Sequence, residues 1–336
     1  MGGGTRGRAV TRHALLIADC GVGVGLGHLE RLLALADALR PDYSSVLVLP
    51  HDDTELVQRV VARGHEPFTV VGDTAARADA AVEATPGADI VVLDGYVFPA
   101  ALQGRLRDRS PLAVLDDLSL PADCDLFVNP SPGGNERRPI GAAAFIGGAA
   151  YAVVRQEFIA AREAVMRRGR ARRSVLVSTG STDLNGIAGR VSLELLRMDP
   201  IVKVVKVVGP DARADDFGRE PRLSTLTGPS SLVDGLVGAT VYVGAAGTTA
   251  IQAACVGIPS VITAAVPNQC AQAAALAAEG CALAVDSEDL AATCLGLLDD
   301  PVRLDDMASR GRNLVDGLGA VRVADALRQL VETRAA

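Results

Sequence analysis

The chain has 336 residues, 49% hydrophobic and 22% charged, with 3% aromatic and no Trp. That composition builds an apolar core from Ala, Val and Leu, and at about 100–200 residues per domain it suggests two domains. A formal net charge of -7 argues against a general binder of nucleic acid or anionic membrane, while still allowing one anionic ligand held at a local site.

The first twelve residues, MGGGTRGRAVTR, are rich in glycine and arginine. They lack the apolar stretch of a secretory signal and read as a flexible tail, 1–12. No later run approaches the ~18 apolar residues of a membrane helix. From there short apolar runs alternate with segments of helical period. Strands are predicted at His13–Ala18, Ser45–Leu49, Pro67–Val71, Asp89–Leu93, Leu112–Leu115 and Asp125–Val128, with helices near 28–40, 53–63, 74–84 and 98–108. Such alternation implies βαβ units on a parallel sheet. The near-continuous Val, Leu and Ile runs suit strands buried on both faces.

The rhythm weakens between about 130 and 170, where Pro130, Pro132, Gly133, Gly134 and Pro139 precede a basic helical stretch, EFIAAREAVMRRGRARR. The domain boundary is placed there. The pattern then restarts: strands at 174–180, 202–208, 240–244, 258–263 and 282–285 alternate with helices near 186–198, 231–238, 248–256 and 268–279. Further helices run to the end. The chain therefore reads as two Rossmann-like halves, 13–160 and 172–318. A last helix within 319–336 is positioned to pack back across the first half.

Six cysteines, at 20, 124, 255, 270, 281 and 294, form no Cys-x-x-Cys pair and no cysteine–histidine spacing typical of zinc. They read as free buried thiols in a reducing cytosol.

Chemistry is concentrated where predicted strands end. ALLIAD runs into GVGVGLGH, after which Leu29, Leu32, Leu33, Ala36 and Leu39 define one helix face. The glycines, Gly25 and Gly27 among them, thus occupy a strand-to-helix turn at the carboxyl end of the first strand, where open α/β sheets bind ligands. The spacing is not the dinucleotide G-x-G-x-x-G. His28 stands at the helix N-terminus, where the helix dipole favours an uncharged ring able to accept a proton; it reads as a general base or as a simple cap. Asp94 and Tyr96 in VVLDGYVF, and Asp116 and Asp117 in AVLDDLSL, end strands on the same predicted edge. Each acid is a candidate for the crevice or for a turn cap.

In the second half, VYVGAAGTTAIQAACVG carries Gly244, Gly247, Thr248 and Thr249 from a strand into a helix. That arrangement suits a diphosphate at a helix N-terminus, and without a following Lys it is not a Walker A loop. Ser178, Thr179 and Gly180 end the first strand of this half and are candidates for the same crevice. Asn268 is a plausible helix N-cap; alternatively, it and Gln269 face the cleft and bond a sugar.

Taken together in order, DCGVGVGLGHLERLLALADAL (19–39), LDGY (93–96), LDDL (115–118), CDLFVNP (124–130), YAVVRQEF (151–158), LVSTGSTDLN (176–185), GAAGTT with ACVGIPS (244–260) and Asn268-Gln269 resemble the UDP-sugar hydrolases of the pseudaminic-acid pathway. The shared opening motif maps to Asp19, Gly25, Gly27, His28 and Arg31. The resemblance implies a GT-B-type fold of two Rossmann-like domains with parallel sheets facing a central cleft, related to the lipid II-forming N-acetylglucosaminyltransferase. It implies inverting hydrolysis of a UDP-linked diacetamido-trideoxyhexose without metal or cofactor. His28 would be the base; Gly25, Gly27, Arg31, Asp94, Tyr96, Asn268 and Gln269 would surround the sugar. Ser178, Thr179, Gly180, Gly244, Gly247, Thr248, Thr249 and Gln252 would hold the nucleotide. Gln252 stands where that family usually carries a ribose-binding Glu. The alternative is a transferase that moves the sugar from its nucleotide to a small-molecule acceptor.

Overall fold

The computed structural model describes residues 12–20, 26–40, 42–50, 53–168, 173–180, 183, 186–208, 220–227 and 229–335. The first half runs β1 (Arg12–Ala18), α1 (Gly27–Leu39), β2 (Tyr43–Pro50), α2 (Thr54–Ala62), β3 (Glu66–Val70), α3 (Thr74–Ala84), β4 (Ile90–Asp94), α4 (Ala100–Arg107), β5 (Leu112–Leu115), β6 (Leu126–Asn129) and β7 (Ala144–Gly147). Helix α5 (Gln156–Arg168) precedes the second half, which begins β8 (Ser174–Ser178), α6 (Ile187–Met198), β9 (Lys203–Val208), β10 (Leu223–Thr227), α7 (Pro229–Gly238) and β11 (Val241–Ala245). It continues through α8 (Thr248–Val256), β12 (Ser260–Thr263), α9 (Cys270–Ala278), β13 (Ala282–Ala284), α10 (Leu290–Leu298), α11 (Pro301–Leu314) and α12 (Gly319–Ala335).

Two parallel sheets result, ordered β3-β2-β1-β4-β5-β6-β7 and β10-β9-β8-β11-β12-β13. In each, the order reverses beside the first strand, between β1 and β4 and between β8 and β11. Ligand crevices form outside the carboxyl ends of the strands at such points. Register there is close: Ile17 lies against both Val48 and Leu93, and Val177 against both Lys206 and Val243. Both faces of each sheet are buried, as parallel sheets require. Leu16 joins the core under α1, whereas Leu15 and Ile17 join the core under α3 and α4. In the second sheet Leu176 faces one core, and Val175 and Val177 the other.

Helix packing redraws the division expected at residue 160. Phe158, Ala161 and Val165 of α5 are buried in a core of the second sheet. Val323, Ala324, Leu327 and Val331 of α12 are buried in the first half beside Leu29 and Leu32 of α1. The halves thus exchange helices across two adjacent connectors. A methyl group placed on Gly319 would stand 2.1 Å from the Ala152 carbonyl oxygen, so the connectors touch where only glycine fits.

Strands β7 and β10 are additions to the sequence-based expectation. Both lie at sheet edges and are largely exposed or half-buried. Five cysteines are buried, and burial pushes their thiols up to about 11 or 12. Cys270 is exposed, which corrects the expectation of six buried thiols. The tail expected at 1–12 lies outside the described residues except for Arg12, which begins β1. Among the described residues no helix is long and apolar enough to cross a membrane.

Candidate functional site

His28 occupies the first turn of α1, whose N-terminus has no side-chain cap. Its Nδ1 lies 2.8 Å from Asp94 Oδ1. Asp94 ends β4 and is fully buried. One turn along α1, Arg31 grips the same carboxylate, with Nε donating to Oδ2 at 2.7 Å and Nη2 to Oδ1. Arg31 Nη2 and His28 Nδ1 are 3.1 Å apart. Arg31 can only donate, and both nitrogens reach one carboxylate oxygen. The consistent arrangement has Nδ1–H donating to Asp94, which leaves the Nε2 lone pair free. Burial opposes ionisation of Asp94, but the charge and hydrogen bonds of Arg31, helped by His28, outweigh it and hold the carboxyl below its usual range. Burial likewise opposes the Arg31 charge, and Asp94 overrides it to raise the guanidinium further.

Tyr96, two residues beyond β4, sets its ring edge-on to His28, with centroids 5.1 Å apart. Its hydroxyl donates to Asp117 Oδ1. Burial, then the Asp117 charge, drives the phenol far above its ordinary value. Asp117 Oδ2 stands 3.8 Å from Arg31 Nη1. The structure therefore separates the two neighbouring acids. Asp117 faces this cluster, whereas Asp116 accepts N–H bonds from Leu118 at 2.6 Å and Leu120 at 3.0 Å as a turn cap. Asp19 also serves the framework. It accepts the Thr74 hydroxyl at 3.0 Å and packs under Gly95, whose φ of +144° and 2.5 Å clearance from Asp19 Cβ exclude a side chain.

The facing wall comes from the second half. Helix α8 also starts without a side-chain cap, at Gly247, so its first N–H groups are available to a ligand or to water. The approach to it is closely packed. A methyl on Gly244 would lie 1.7 Å from the Ser178 carbonyl oxygen, and Tyr242 donates its hydroxyl to that oxygen at 2.8 Å. Gln272 Nε2 holds the Ala246 and Gly247 carbonyls at 2.7 and 2.9 Å. This brace was missed in the sequence, where a Gln inside an Ala-rich helix carries no signal. Gln252 sits one turn after Thr248 on α8 and is 8% exposed.

The two walls meet. A methyl on Gly27 would stand 3.3 Å from Thr248 Oγ1, and one on Gly247 would stand 3.3 Å from Gln269 Nε2. The starts of α1 and α8 and the 3₁₀ turn Pro267–Gln269 thus share one cleft. Asn268 is exposed within that turn and caps no helix; α9 begins at Cys270. Gln269 Oε1 accepts the Ala265 N–H at 3.0 Å. Ser178 is buried at the end of β8. Thr179 spends its hydroxyl proton on Asp183 at 2.6 Å, and Asp183 in turn accepts the Ala188 N–H at the start of α6. Gly180 follows with φ of +100°. Gly25 lies outside the described residues. Among those residues, no group of three or more His, Cys, Asp or Glu is placed to hold a metal ion.

No family model matches the chain. An uncharacterised protein of Methanocaldococcus jannaschii is 20% identical over 279 residues, 74% of this chain and 54% of that protein, so the chain spans about half the length of this relative. The fold matches several solved structures over nearly its whole length. The spinosyn forosaminyltransferase SpnP aligns with TM-score 0.68 at 16% identity, over 96% of this chain and 99% of that one. The spinosyn rhamnosyltransferase SpnG, solved with thymidine diphosphate, aligns with TM-score 0.67 at 16% identity, over 95% and 100%. MurG of Acinetobacter baumannii aligns with TM-score 0.66 at 14% identity, over 95% and 99%. The architecture is that of the GT-B glycosyltransferases: two Rossmann-like α/β domains, each with a parallel sheet.

Proposed function

We propose that this chain transfers a sugar from a nucleoside diphosphate to a small-molecule acceptor, with His28 as general base. The observation that carries the reading is the His28–Asp94 pair at 2.8 Å, opposite the uncapped start of α8. Asp94 fixes the ring tautomer so that Nε2 takes the proton of an acceptor hydroxyl, and its charge then steadies the imidazolium. The acceptor oxygen bonds to the anomeric carbon. The bond from that carbon to the diphosphate breaks, its electron pair leaving with the phosphate oxygen. An attack from the His28 side inverts the anomeric centre.

The departing diphosphate rests at the N–H groups and hydroxyls of Thr248 and Thr249, beside Gly244 and Gly247, with Ser178, Thr179 and Gly180 along the same edge. Gln252, one turn further, reaches for the ribose as a neutral hydrogen-bonding partner, weaker there than a carboxylate. Asn268 and Gln269 border the sugar, with Gly27 and Tyr96 opposite. Asp94 and Arg31 act through His28 and the cluster beneath the sugar. Two of the structural neighbours described above are named as a forosaminyltransferase and a rhamnosyltransferase, the latter with thymidine diphosphate bound, which supports a nucleotide-sugar donor.

A second reading, hydrolysis of a UDP-linked diacetamido-trideoxyhexose, rests on the ordered motifs from Asp19 to Gln269. It differs only in that water replaces the acceptor. Release of nucleoside diphosphate from UDP- and TDP-sugars, with and without alcohol acceptors, separates the two. Release that needs an acceptor supports transfer; release in buffer alone supports hydrolysis. No release from any donor defeats both. His28→Asn is expected to cut turnover by about 10³-fold or more, the scale of removing a general base together with its orienting pair, while nucleoside diphosphate binding by calorimetry is unchanged.

A further inference from the structure

On the reading of this cleft as a sugar-transfer site, its two walls offer a ligand different side chains. The second-half wall offers donors: the first N–H groups of α8 and the hydroxyls of Thr248 and Thr249. On the first-half wall most side-chain donors turn inward. His28 Nδ1–H and the Nε and Nη2 groups of Arg31 are spent on Asp94, and the Tyr96 hydroxyl proton is spent on Asp117. The side-chain groups of this cluster left for a ligand are three acceptors, the His28 Nε2 lone pair, the Tyr96 oxygen and Asp117 Oδ2, and one donor, Arg31 Nη1. Charge is uneven as well. Arg31 is the one cation of this cluster among the described residues, against the carboxylates of Asp94 and Asp117, and its contact with Asp117 at 3.8 Å is too long for a hydrogen bond. The Asp117 side chain is 28% exposed, against 15% for His28, 10% for Arg31 and 0% for Asp94.

We infer that Asp117 is a specificity residue that takes a protonated amine carried by the acceptor or by the transferred sugar. An ammonium supplies what Asp117 Oδ2, part-exposed and without a hydrogen-bonding donor among the described residues, takes best: a positive charge and several N–H donors. A hydroxyl supplies a donor without the charge, and an N-acetyl group supplies a single N–H with added bulk. The ammonium is an anchor, not the nucleophile, since a protonated nitrogen has no lone pair; His28 takes its proton from a hydroxyl elsewhere on the acceptor. The Tyr96–Asp117 bond holds the carboxylate in place for this contact.

Calorimetric titration of the 336-residue chain tests the assignment in two arms. Free glucosamine, N-acetylglucosamine and glucose form one arm. A TDP-linked 4-amino-4,6-dideoxyhexose and its N-acetylated counterpart form the other. In at least one arm the amine is expected to bind about tenfold tighter than its acetylated partner, the scale of one partly desolvated charge-assisted contact. The arm that shows it identifies which substrate carries the amine. Asp117→Asn is expected to erase the preference and Asp117→Glu to keep it, with TDP alone binding all three proteins equally. No amine preference in either arm, or an undiminished one in Asp117→Asn, overturns the assignment. Failure of TDP to bind removes the nucleotide reading of the second half, and the free-sugar arm then still decides the role of Asp117.

Discussion

At the scale of single residues, Asp94 carries the most consequence. It is buried between His28 and Arg31, and removing its charge would strand a buried guanidinium. Its carboxyl is held below the ordinary value in the folded chain. The stabilisation it contributes is therefore complete above about pH 4, the unfolded value, and is lost as pH falls through the lower folded value. Urea unfolding of the wild type between pH 7 and 3 is expected to show a steeper acid loss than Asp94→Asn, which should itself be about 3 kcal/mol less stable at pH 7. Parallel curves would mean that Asp94 gains nothing from its partners. His28, Asp94 and Tyr96 are marked in the sequence by a glycine turn and a strand end, whereas Arg31 is marked only by the family resemblance. The roles of Asp116 and Asp117 are not. Adjacent residues leaving a strand point in different directions, and only the fold shows that one carboxylate turns to its own backbone and the other to Tyr96.

At the scale of elements, the turn before α8 depends on close backbone packing. Gly244→Ala would push a methyl into the Ser178 carbonyl. The variant is expected to lose soluble, cooperatively folded protein, as judged by the near-ultraviolet circular dichroism of the purified fraction, because the clash is with backbone and cannot be relieved by a rotamer change. The central strands were readable from sequence since burial on both faces leaves continuous Val and Leu runs. Edge strands β7 and β10, AFIG and LSTLT, escape that signal: each pairs on one side only and is largely exposed, so neither needs an apolar run. The start of α9 slipped two residues from expectation because Pro267 opens a 3₁₀ turn before the helix proper.

At the scale of the whole molecule, stability of the first half depends on the end of the chain. Leu327 is fully buried against α1, the helix that carries His28 and Arg31. Leu327→Ala is expected to cost about 3 kcal/mol in urea unfolding, and a loss under about 1 kcal/mol would show that α12 contributes little to the core. Arg328 ties the same helix down, donating to Asp42 at 2.8 Å and to the Ala38 carbonyl at 3.0 Å. The two-fold α/β rhythm is legible in both halves apart from the edge strands β7 and β10. The exchange of α5 and α12 was only partly so: amphipathic spacing shows that a helix has an apolar stripe, but not which of two sheets receives it.

That exchange makes the second lobe an internal cassette, α5 to α11, spliced into a first lobe whose backbone leaves near Ala152 and returns near Gly319. One proteolytic nick at either crossing would leave the lobes tethered by the other. A chimera with a chain of the same architecture should accordingly be cut at both crossings, so that each transplanted lobe arrives with the helix that seals it.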